Sequence, residues 1–145
     1  MPDSYVVIVE IPGGSRNKYE YDHESGAIFL DRRLFTATRY PTDYGFFPET
    51  LAEDGDPLDA LVLVSDPTFP GCHIRVRPIG VFWMEDEKGP DAKVVTVPVS
   101  DPVSGRITSI EDLEAVRVVD AALGRARRAA GRLRRRGQIT SARRA

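Results

Sequence analysis

The sequence predicts a mainly β (α+β) protein whose centre is a small closed barrel. Short apolar or alternating segments follow one another at close spacing, as strands of a barrel do. Turn residues separate these segments, with 11 Pro and 12 Gly in 145 residues. Neither alternating βαβ units nor a dinucleotide or P-loop glycine pattern is present in the sequence. These observations favour a barrel over a doubly wound parallel sheet.

The predicted strands are defined in chain order by their hydrophobic pattern. The first is a continuous apolar run, the next two form a hairpin around the turn residues "HESG", and the last three are buried or alternating segments. Their sequences are "YVVIVEI" (5–11), "NKYEYD" (17–22), "AIFLD" (27–31), "DALVLVS" (59–65), "HIRVRPIGVFWME" (73–85) and "KVVTVP" (93–98). Pro78 and Gly80 interrupt the longest segment, which predicts a bulge or bend where the barrel turns a corner.

Charge divides the chain into two parts. Up to Glu114 there are 10 Lys and Arg against 21 Asp and Glu, a net charge of −11, whereas the remainder has 10 Arg against one Asp, a net charge of +9. We therefore expect a barrel domain over residues 1–113 and a separate tail over residues 114–145. Ser109 and Asp112 are spaced as a helix cap, but "GRARRAAGRLRRRG" offers little apolar surface to pack, so the tail is predicted to be helical or disordered.

Several protein classes are excluded by composition. No apolar run reaches about 18 residues, and the N-terminus lacks the pattern of a signal peptide, so the chain is expected in the cytoplasm without a membrane span. Cys72 is the single cysteine, which excludes an internal disulfide. Together with His23 and His73 it does not make up the ligand set of a zinc site.

An unusual concentration of acids precedes the fourth predicted strand. The segment "EDGDPLD" contains Asp54, Asp56 and Asp59, and Gly55 allows the backbone to turn tightly between the first two. Three carboxylates can therefore converge on one point, where their mutual repulsion favours a bound cation. The spacing does not fit an EF-hand, and oxygen ligands of this kind favour Mg²⁺ or Mn²⁺.

Further acids occur in a second loop and inside two strands. Each loop alone is more often a solvated turn, but together they supply enough carboxylates for several cations. A carboxylate within an apolar strand also needs a partner. These additional candidates are Asp86, Glu87 and Asp91 in the loop "EDEKGPDAK", and Glu10 and Glu20 in the strands.

Cationic and phenolic residues accompany these acids. Lys18, Arg32 and Lys93 each lie beside an acid, and Tyr40 and Tyr44 flank a proline turn. Individually, each cation is most simply a member of a surface ion pair worth up to about 1 kcal/mol. In combination with divalent cations, Arg, Lys and Tyr hydroxyls are typical of a site that binds phosphate oxygens.

These motifs resemble those of bacterial family I soluble inorganic pyrophosphatases. The similarity is carried by "EIPGGSRNKYEYD", by "DRRLFTATRYPTDYGFFPETLAEDGDPLDALVL" and by "GCHIRVRPIGVFWMEDEKGPDAKVVTVP", and it extends from about residue 5 to about residue 113. The most specific part is the D-x-D-P-x-D motif at Asp54–Asp59. The resemblance implies a five-stranded, OB-like barrel with flanking helices and Mg²⁺-dependent hydrolysis of pyrophosphate to two phosphates.

The resemblance also implies a role for each candidate residue. Asp54, Asp59 and Asp91 would hold the metal pair that activates water. Asp56 would accept the proton of that water, and Asp86 and Glu20 would help to hold the metals that arrive with the substrate. Phosphate oxygens would be bound by Lys18, Arg32, Tyr44 and Lys93, with Glu10, Tyr40 and Glu87 in support.

The C-terminal part departs from this family. The pattern H-F-F-x-x-Y-K-x-L-E, whose Tyr and Lys bind substrate phosphate in the family, is missing after about residue 113, and the Arg/Ala/Gly-rich segment stands in its place. Such a segment is also what a reading-frame slip in a GC-rich gene produces. We expect reduced activity, and the family's homohexamer only if this C-terminus permits it.

Two alternatives remain open. The chain can be a non-catalytic paralogue that binds Mg²⁺ and phosphate. It can also be a nucleic-acid-binding barrel with a basic tail. The net charge of −11 on the barrel portion counts against the second.

Overall fold

The structure is a computed structural model that describes residues 4–34, 39–48, 50, 55–86, 89–102, 104–112 and 139–141. For residues 83–86, 89, 90, 105 and 139–141 it describes the backbone alone. It contains eight strands and one 3₁₀ turn in this part of the chain. The strands are β1 (Tyr5–Ile11), β2 (Asn17–Tyr21), β3 (Ile28–Arg33), β4 (Asp43–Phe46), β5 (Asp59–Val62), β6 (His73–Asp86), β7 (Gly89–Pro98) and β8 (Ile139–Ser141), and the turn is Ser104–Arg106.

Five of the strands close into a barrel. Their order is β1-β4-β5-β7-β6, and β6 pairs again with β1, which completes the ring. All of these pairings are antiparallel except that of β5 with β7. The predicted five-stranded closed barrel is therefore confirmed. The predicted hairpin of β2 and β3 is also confirmed, and it forms a two-stranded sheet of its own.

Strand β4 was not predicted from the sequence. Its four residues begin at the buried Asp43 and contain Gly45, neither of which is typical of a strand. Gly45 is required by close packing, because a Cβ there would lie 2.9 Å from the carbonyl carbon of Ile8 and 3.0 Å from the Cα of Val9. The pairing of β4 with β1 on one side and with β5 on the other thus outweighs the low strand propensity of its own residues.

The predicted irregularity in the longest strand is confirmed. The register between β6 and β7 shifts between Pro78 and Gly80. A Cβ on Gly80 would lie 2.6 Å from the Cδ1 of Ile110, so the absence of a side chain at Gly80 makes room for the segment that follows β7. The irregularity lies where Pro78 has no backbone N–H to donate and Gly80 has no side chain.

Two apolar clusters pack on opposite sides of the β5–β7 pair. One cluster contains Ala60, Val62 and Val94 with residues of β1 and β6. The other is formed by Leu63, Ile79, Val95, Val97, Ile107 and Ile110, with Leu61 and Phe82 against it. Because side chains alternate along a strand, each cluster collects every second residue of β5 and β7.

The segment after β7 seals the second cluster. Ile107 and Ile110 are almost fully buried, and the Ile110 N–H donates to the Ile79 carbonyl oxygen at 3.1 Å. The Asp112 carboxylate accepts the N–H groups of Thr108 and Ser109 at 2.9 and 3.1 Å, as expected for a capping residue at a helix start. The predicted helix follows the Ser109 cap with a periodic pattern from Ile110 to Leu133, and from Leu113 onward it lies outside the described residues.

The described part of the tail differs from the prediction of helix or disorder. Ile139–Ser141 form β8, which pairs antiparallel with residues 80–82 of β6. The edge of β6 at residues 80–82 lies beyond its pairing with β1 and is open to a partner. The local sequence of residues 139–141 did not indicate a strand. Within the described residues, no helix is long and apolar enough to cross a membrane.

Candidate active site at the starts of β5 and β7

The centre of the site is set by the parallel register of β5 and β7. Asp59 on β5 pairs with Lys93 on β7, and Asp91 precedes Lys93 by two residues and shares its face. The same face carries Leu61 and Val95 one step further along the strands, where it becomes part of the apolar core. One face of the strand pair is thus polar at its start and apolar at its end.

Lys93 gathers these groups into a single cluster. Its Nζ donates to Asp59 Oδ2 at 2.9 Å and to the Tyr44 hydroxyl oxygen at 3.1 Å, and it forms an ion pair with Asp91 Oδ2 at 2.9 Å. The three charged side chains are only 16–27% exposed. Burial opposes the charge of Lys93, but the contacts of its ammonium with Asp59, Asp91 and the Tyr44 hydroxyl outweigh it and raise the pKa of the ammonium. Lys93 is therefore held fully charged.

Two tyrosines form the phenolic side of the cluster. The rings of Tyr40 and Tyr44 lie 5.7 Å apart, and Lys93 Nζ lies 5.1 Å from the centre of the Tyr44 ring. Burial raises the pKa of both phenols, with Asp59 adding to the effect on Tyr44 and Glu10 to that on Tyr40. Both hydroxyls stay neutral and can donate a hydrogen bond to an anion.

Glu10 connects the barrel to the hairpin. Its Oε2 accepts the backbone N–H of Tyr21 at 3.0 Å, which supplies the partner that an acid in an apolar strand requires. Burial raises the pKa of Glu10, and the negative charges of Asp59 and Glu20 raise it further. Glu10 therefore lies in the same acidic field as the β5–β7 cluster.

The hairpin places the other cations side by side. Lys18 on β2 pairs in register with Arg32 on β3. Asp31 forms ion pairs with both, at 3.4 Å to Lys18 Nζ and 3.9 Å to Arg32 Nε. Glu20 is exposed on the same strand as Lys18. Asp31 was not among the predicted site residues. The sequence signal for it was its position directly before Arg32.

The first acidic loop is described only in part. Gly55 has φ of 86°, which confirms the tight turn expected of that glycine. Asp56 follows it and is followed by Pro57 and by the strand that carries Asp59. Asp54, the remaining acid of the motif, lies outside the described residues.

The second acidic loop is described less completely. The backbone of Asp86 pairs with that of Gly89 at the end of the β6–β7 hairpin, and Asp91 lies on the strand that returns from it. Glu87 lies outside the described residues, and only the backbone of Asp86 is described. Within the side chains that the structure describes, no three His, Cys, Asp or Glu residues group as a metal site.

One buried acid was missed by sequence reasoning. Asp43 is fully buried, and its carboxylate accepts the Gly13 N–H at 2.8 Å, the Thr68 N–H at 3.1 Å and the Thr68 hydroxyl at 2.6 Å. It ties the turn after β1 and the loop after β5 to β4, two residues from Pro41 and one from Tyr44. The only sequence signal was an acid in "PTDYG" that no neighbouring cation balances.

The fold and this cluster define a class of protein, a small closed β-barrel with an acidic, lysine-centred site flanked by phenols and basic side chains. The model of the inorganic pyrophosphatase family matches residues 7–122 of the chain, more than half of its length. The chain belongs to the inorganic pyrophosphatase family, whose members hydrolyse pyrophosphate to two phosphates. The match ends nine residues beyond the end that the resemblance predicted, and the departure of the C-terminus stays a prediction.

Individual relatives agree with this membership. An inorganic pyrophosphatase of Streptomyces coelicolor is 60% identical over 114 residues, which are 79% of this chain and 68% of the relative. The crystal structure of the Thermus thermophilus inorganic pyrophosphatase is 42% identical, with a TM-score of 0.76 over 98% of this chain and 82% of that one. An inorganic pyrophosphatase structure from Coxiella burnetii is 46% identical, with a TM-score of 0.74 over 85% of this chain and 72% of that one. The chain spans about two thirds of the length of its Streptomyces relative.

Proposed function

We propose that the chain hydrolyses inorganic pyrophosphate with the help of Mg²⁺ bound at the starts of β5 and β7. The observation that carries this proposal is the convergence of Asp59 and Asp91 on one ammonium group, each at 2.9 Å. This geometry supplies a point where two carboxylates face one cation, beside neutral phenols and within a family of pyrophosphate hydrolases.

The donor set fits Mg²⁺. The acids present carboxylate oxygens, and the described residues around Lys93 include neither a histidine nor a thiol. Such oxygen ligands suit Mg²⁺, and Mn²⁺ as its substitute. When bound, the metal supplies a water of lowered pKa and neutralises the charge of phosphate oxygens. In our proposal Asp54, Asp59 and Asp91 hold the metals nearest the water, and Asp86 and Glu20 hold those that accompany the substrate.

Asp56 is the proposed general base. It follows Gly55 in the tight turn and precedes the strand of Asp59, so it lies between Asp54 and Asp59, two of the proposed metal ligands, in one short segment. A carboxylate at that position can accept a proton from water and release it to solvent. No covalent intermediate is needed, because positioning and charge supply the acceleration in phosphoryl transfer.

Phosphate oxygens are the proposed ligands of Lys18, Arg32, Tyr44 and Lys93. Arg32 is 65% exposed and forms a 3.9 Å ion pair with Asp31, which is weak enough that its guanidinium can turn to a phosphate at little cost. Lys18 is similarly placed beside it. Tyr40, Glu10 and Glu87 have supporting roles in this proposal. The cytoplasm and a homohexamer also remain predictions.

A second candidate function is the paralogue that binds Mg²⁺ and phosphate without turnover, which the unusual tail favours. One assay separates it from the enzyme. Phosphate release from pyrophosphate is measured with the whole chain in millimolar Mg²⁺, in EDTA, and with Asp56→Asn in Mg²⁺. The enzyme gives release in the first condition alone. Phosphate binding with no release in any condition identifies the paralogue, and release that EDTA leaves unchanged overturns the metal-dependent proposal.

A further inference from the structure

The ammonium of Lys93 has no free donor in the arrangement described above. A lysine carries three N–H groups. Three acceptors, Asp59 Oδ2, Asp91 Oδ2 and the Tyr44 hydroxyl, lie within 3.1 Å of Nζ. A phosphate oxygen can therefore bind Lys93 only if the ammonium gives up one of these three partners.

The same contacts limit where a metal can bind. Both carboxylate oxygens are 2.9 Å from Nζ, so they lie no farther apart than twice that distance and face a common point. Mg²⁺ binds oxygen at about 2.0–2.1 Å. A cation bound to either oxygen would therefore lie at most about 5 Å from Nζ. Two positive charges that close repel strongly where side chains are only 16–27% exposed, so the ammonium competes with the metal for these oxygens.

We propose that Lys93 changes partners during the catalytic cycle: it holds Asp59 and Asp91 together until Mg²⁺ replaces it, and it then turns to a phosphate oxygen. This inference rests on the proposed function, which assigns the metals to those two acids. It adds that Lys93 is a competitor of the metal as well as a ligand of the substrate.

Burial gives the exchange its physical consequence. Without Lys93, two partly buried carboxylates would face each other with no cation between them, which is unfavourable for the folded state. The ammonium and Mg²⁺ compete for the same two carboxylates. The free energy with which Lys93 stabilises the metal-free carboxylates is lost when Mg²⁺ displaces it, so it weakens Mg²⁺ binding by the same amount.

The test compares Lys93→Met with Lys18→Met in the whole chain. Both changes remove a cation that is proposed to bind phosphate, but Lys18 is 37% exposed and pairs with Asp31 at 3.4 Å, whereas Lys93 pairs with Asp59 and Asp91. Mg²⁺ binding without phosphate is measured by calorimetry, and thermal unfolding is measured in EDTA. We expect Lys93→Met to bind Mg²⁺ about tenfold more tightly and to melt lower in EDTA, with little change for Lys18→Met.

The outcomes separate this inference from the proposed function. Failure of the unaltered chain to bind Mg²⁺ overturns the proposed function and the exchange with it, whereas Mg²⁺ binding that is equal or weaker in Lys93→Met overturns the exchange alone. Equal melting temperatures of the two variants in EDTA also overturn the exchange. If Lys93→Met does not fold, the ¹⁵Nζ signal of Lys93 in the unaltered chain decides: we expect it to shift on addition of Mg²⁺ alone, and an unchanged signal at saturation contradicts the exchange.

Discussion

At the scale of single residues, the carboxylates in and near the site differ in their partners and in their burial. Asp59 and Asp91 share one ammonium, Glu10 accepts a backbone N–H, and Asp43 is fully buried among three donors. In our proposal the first two exchange their cation, whereas Asp43 is held by backbone and hydroxyl donors of the fold. We therefore propose a chemical role for Asp59 and Asp91 and a structural role for Asp43.

Asp56 and Asp59 are expected to respond differently to the same change. Asp56→Asn should lower turnover by about 10²- to 10⁴-fold and leave Mg²⁺ affinity nearly unchanged, because an amide fills the same space but cannot accept the proton. Asp59→Asn should weaken Mg²⁺ binding by about tenfold or more, since it removes a charged ligand. Calorimetry and phosphate release measure the two effects. Equal, mild effects of both changes would count against the assigned roles.

Glu10 gives the metal-free protein a predictable pH dependence. Burial, the main cause, raises the pKa of Glu10 in the folded state above its ordinary value of 4.5, so the folded protein binds this proton more tightly than the unfolded chain. Stability is then lost as the pH rises through the folded pKa, and the penalty is absent below the unfolded pKa.

Glu10→Gln should therefore raise the melting temperature in EDTA at pH 8 by a few degrees, with the gain vanishing below about pH 4. The amide oxygen still accepts the Tyr21 N–H. Exposed Glu24→Gln controls for the loss of one negative charge. A gain of the same size at pH 4 and pH 8 would show that the ionisation of Glu10 is not the cause.

At the scale of elements, β4 connects one side of the site to the rest of the barrel. It carries Tyr44, it is anchored by Asp43, and it lies between β1 and β5. Its contact with β1 is close enough that Gly45 admits no side chain without moving the backbone of Ile8 and Val9.

Gly45→Ala should destabilise the protein by about 3 kcal/mol or more, because a Cβ would collide with backbone atoms that cannot rotate away. Gly14→Ala is the matched control: Gly14 has φ of 82° but nothing within 4 Å of its Cβ position, so only about 1–2 kcal/mol of conformational strain is expected. Urea denaturation of both variants measures the difference. A loss at Gly45 no larger than that at Gly14 would contradict the close β1–β4 packing.

The sequence predicted those elements whose pattern is local. Strands β1, β2, β3, β5, β6 and β7 and the bulge near Pro78 follow from alternation, apolar runs and turn residues. Strand β4 and the tail strand β8 did not follow, because both are held by pairing with distant partners rather than by their own composition.

The candidate site was predicted in the same uneven way. The sequence pattern predicted site roles for Lys93, Asp59 and Asp91 from their residue types and spacing. The structure brings the three side chains to one point. The shared ammonium could not be predicted, because the register of β5 against β7 brings together positions 34 residues apart. Asp43 was missed for a similar reason: its donors lie 30 and 25 residues away in the sequence.

At the scale of the whole molecule, the tail is predicted to distinguish this chain from the family. Residues 1–113 supply the proposed metal acids and four phosphate ligands, but the Tyr and Lys of the family's C-terminal pattern are missing from the sequence. Each such charge-assisted contact is worth roughly 1.5–3 kcal/mol. The loss of both predicts lower catalytic efficiency by about 10²- to 10⁴-fold, with tail arginines as partial substitutes.

A chimera tests this prediction. The chain is compared with a protein that carries residues 1–113 followed by the C-terminal part of its Streptomyces relative. We expect kcat/KM for pyrophosphate to be higher in the chimera, with Mg²⁺ required by both. Equal values would show that the Arg-rich tail replaces the family's C-terminus fully.

The most direct test of the site is to locate its metals. Crystals of the whole chain grown with Mn²⁺ and phosphate allow the metal positions to be found by anomalous scattering. We predict Mn²⁺ bound by carboxylate oxygens of Asp59 and Asp91 at the starts of β5 and β7, with the Lys93 ammonium moved toward phosphate. Mn²⁺ bound only elsewhere, with Lys93 still between the two carboxylates, would contradict the account.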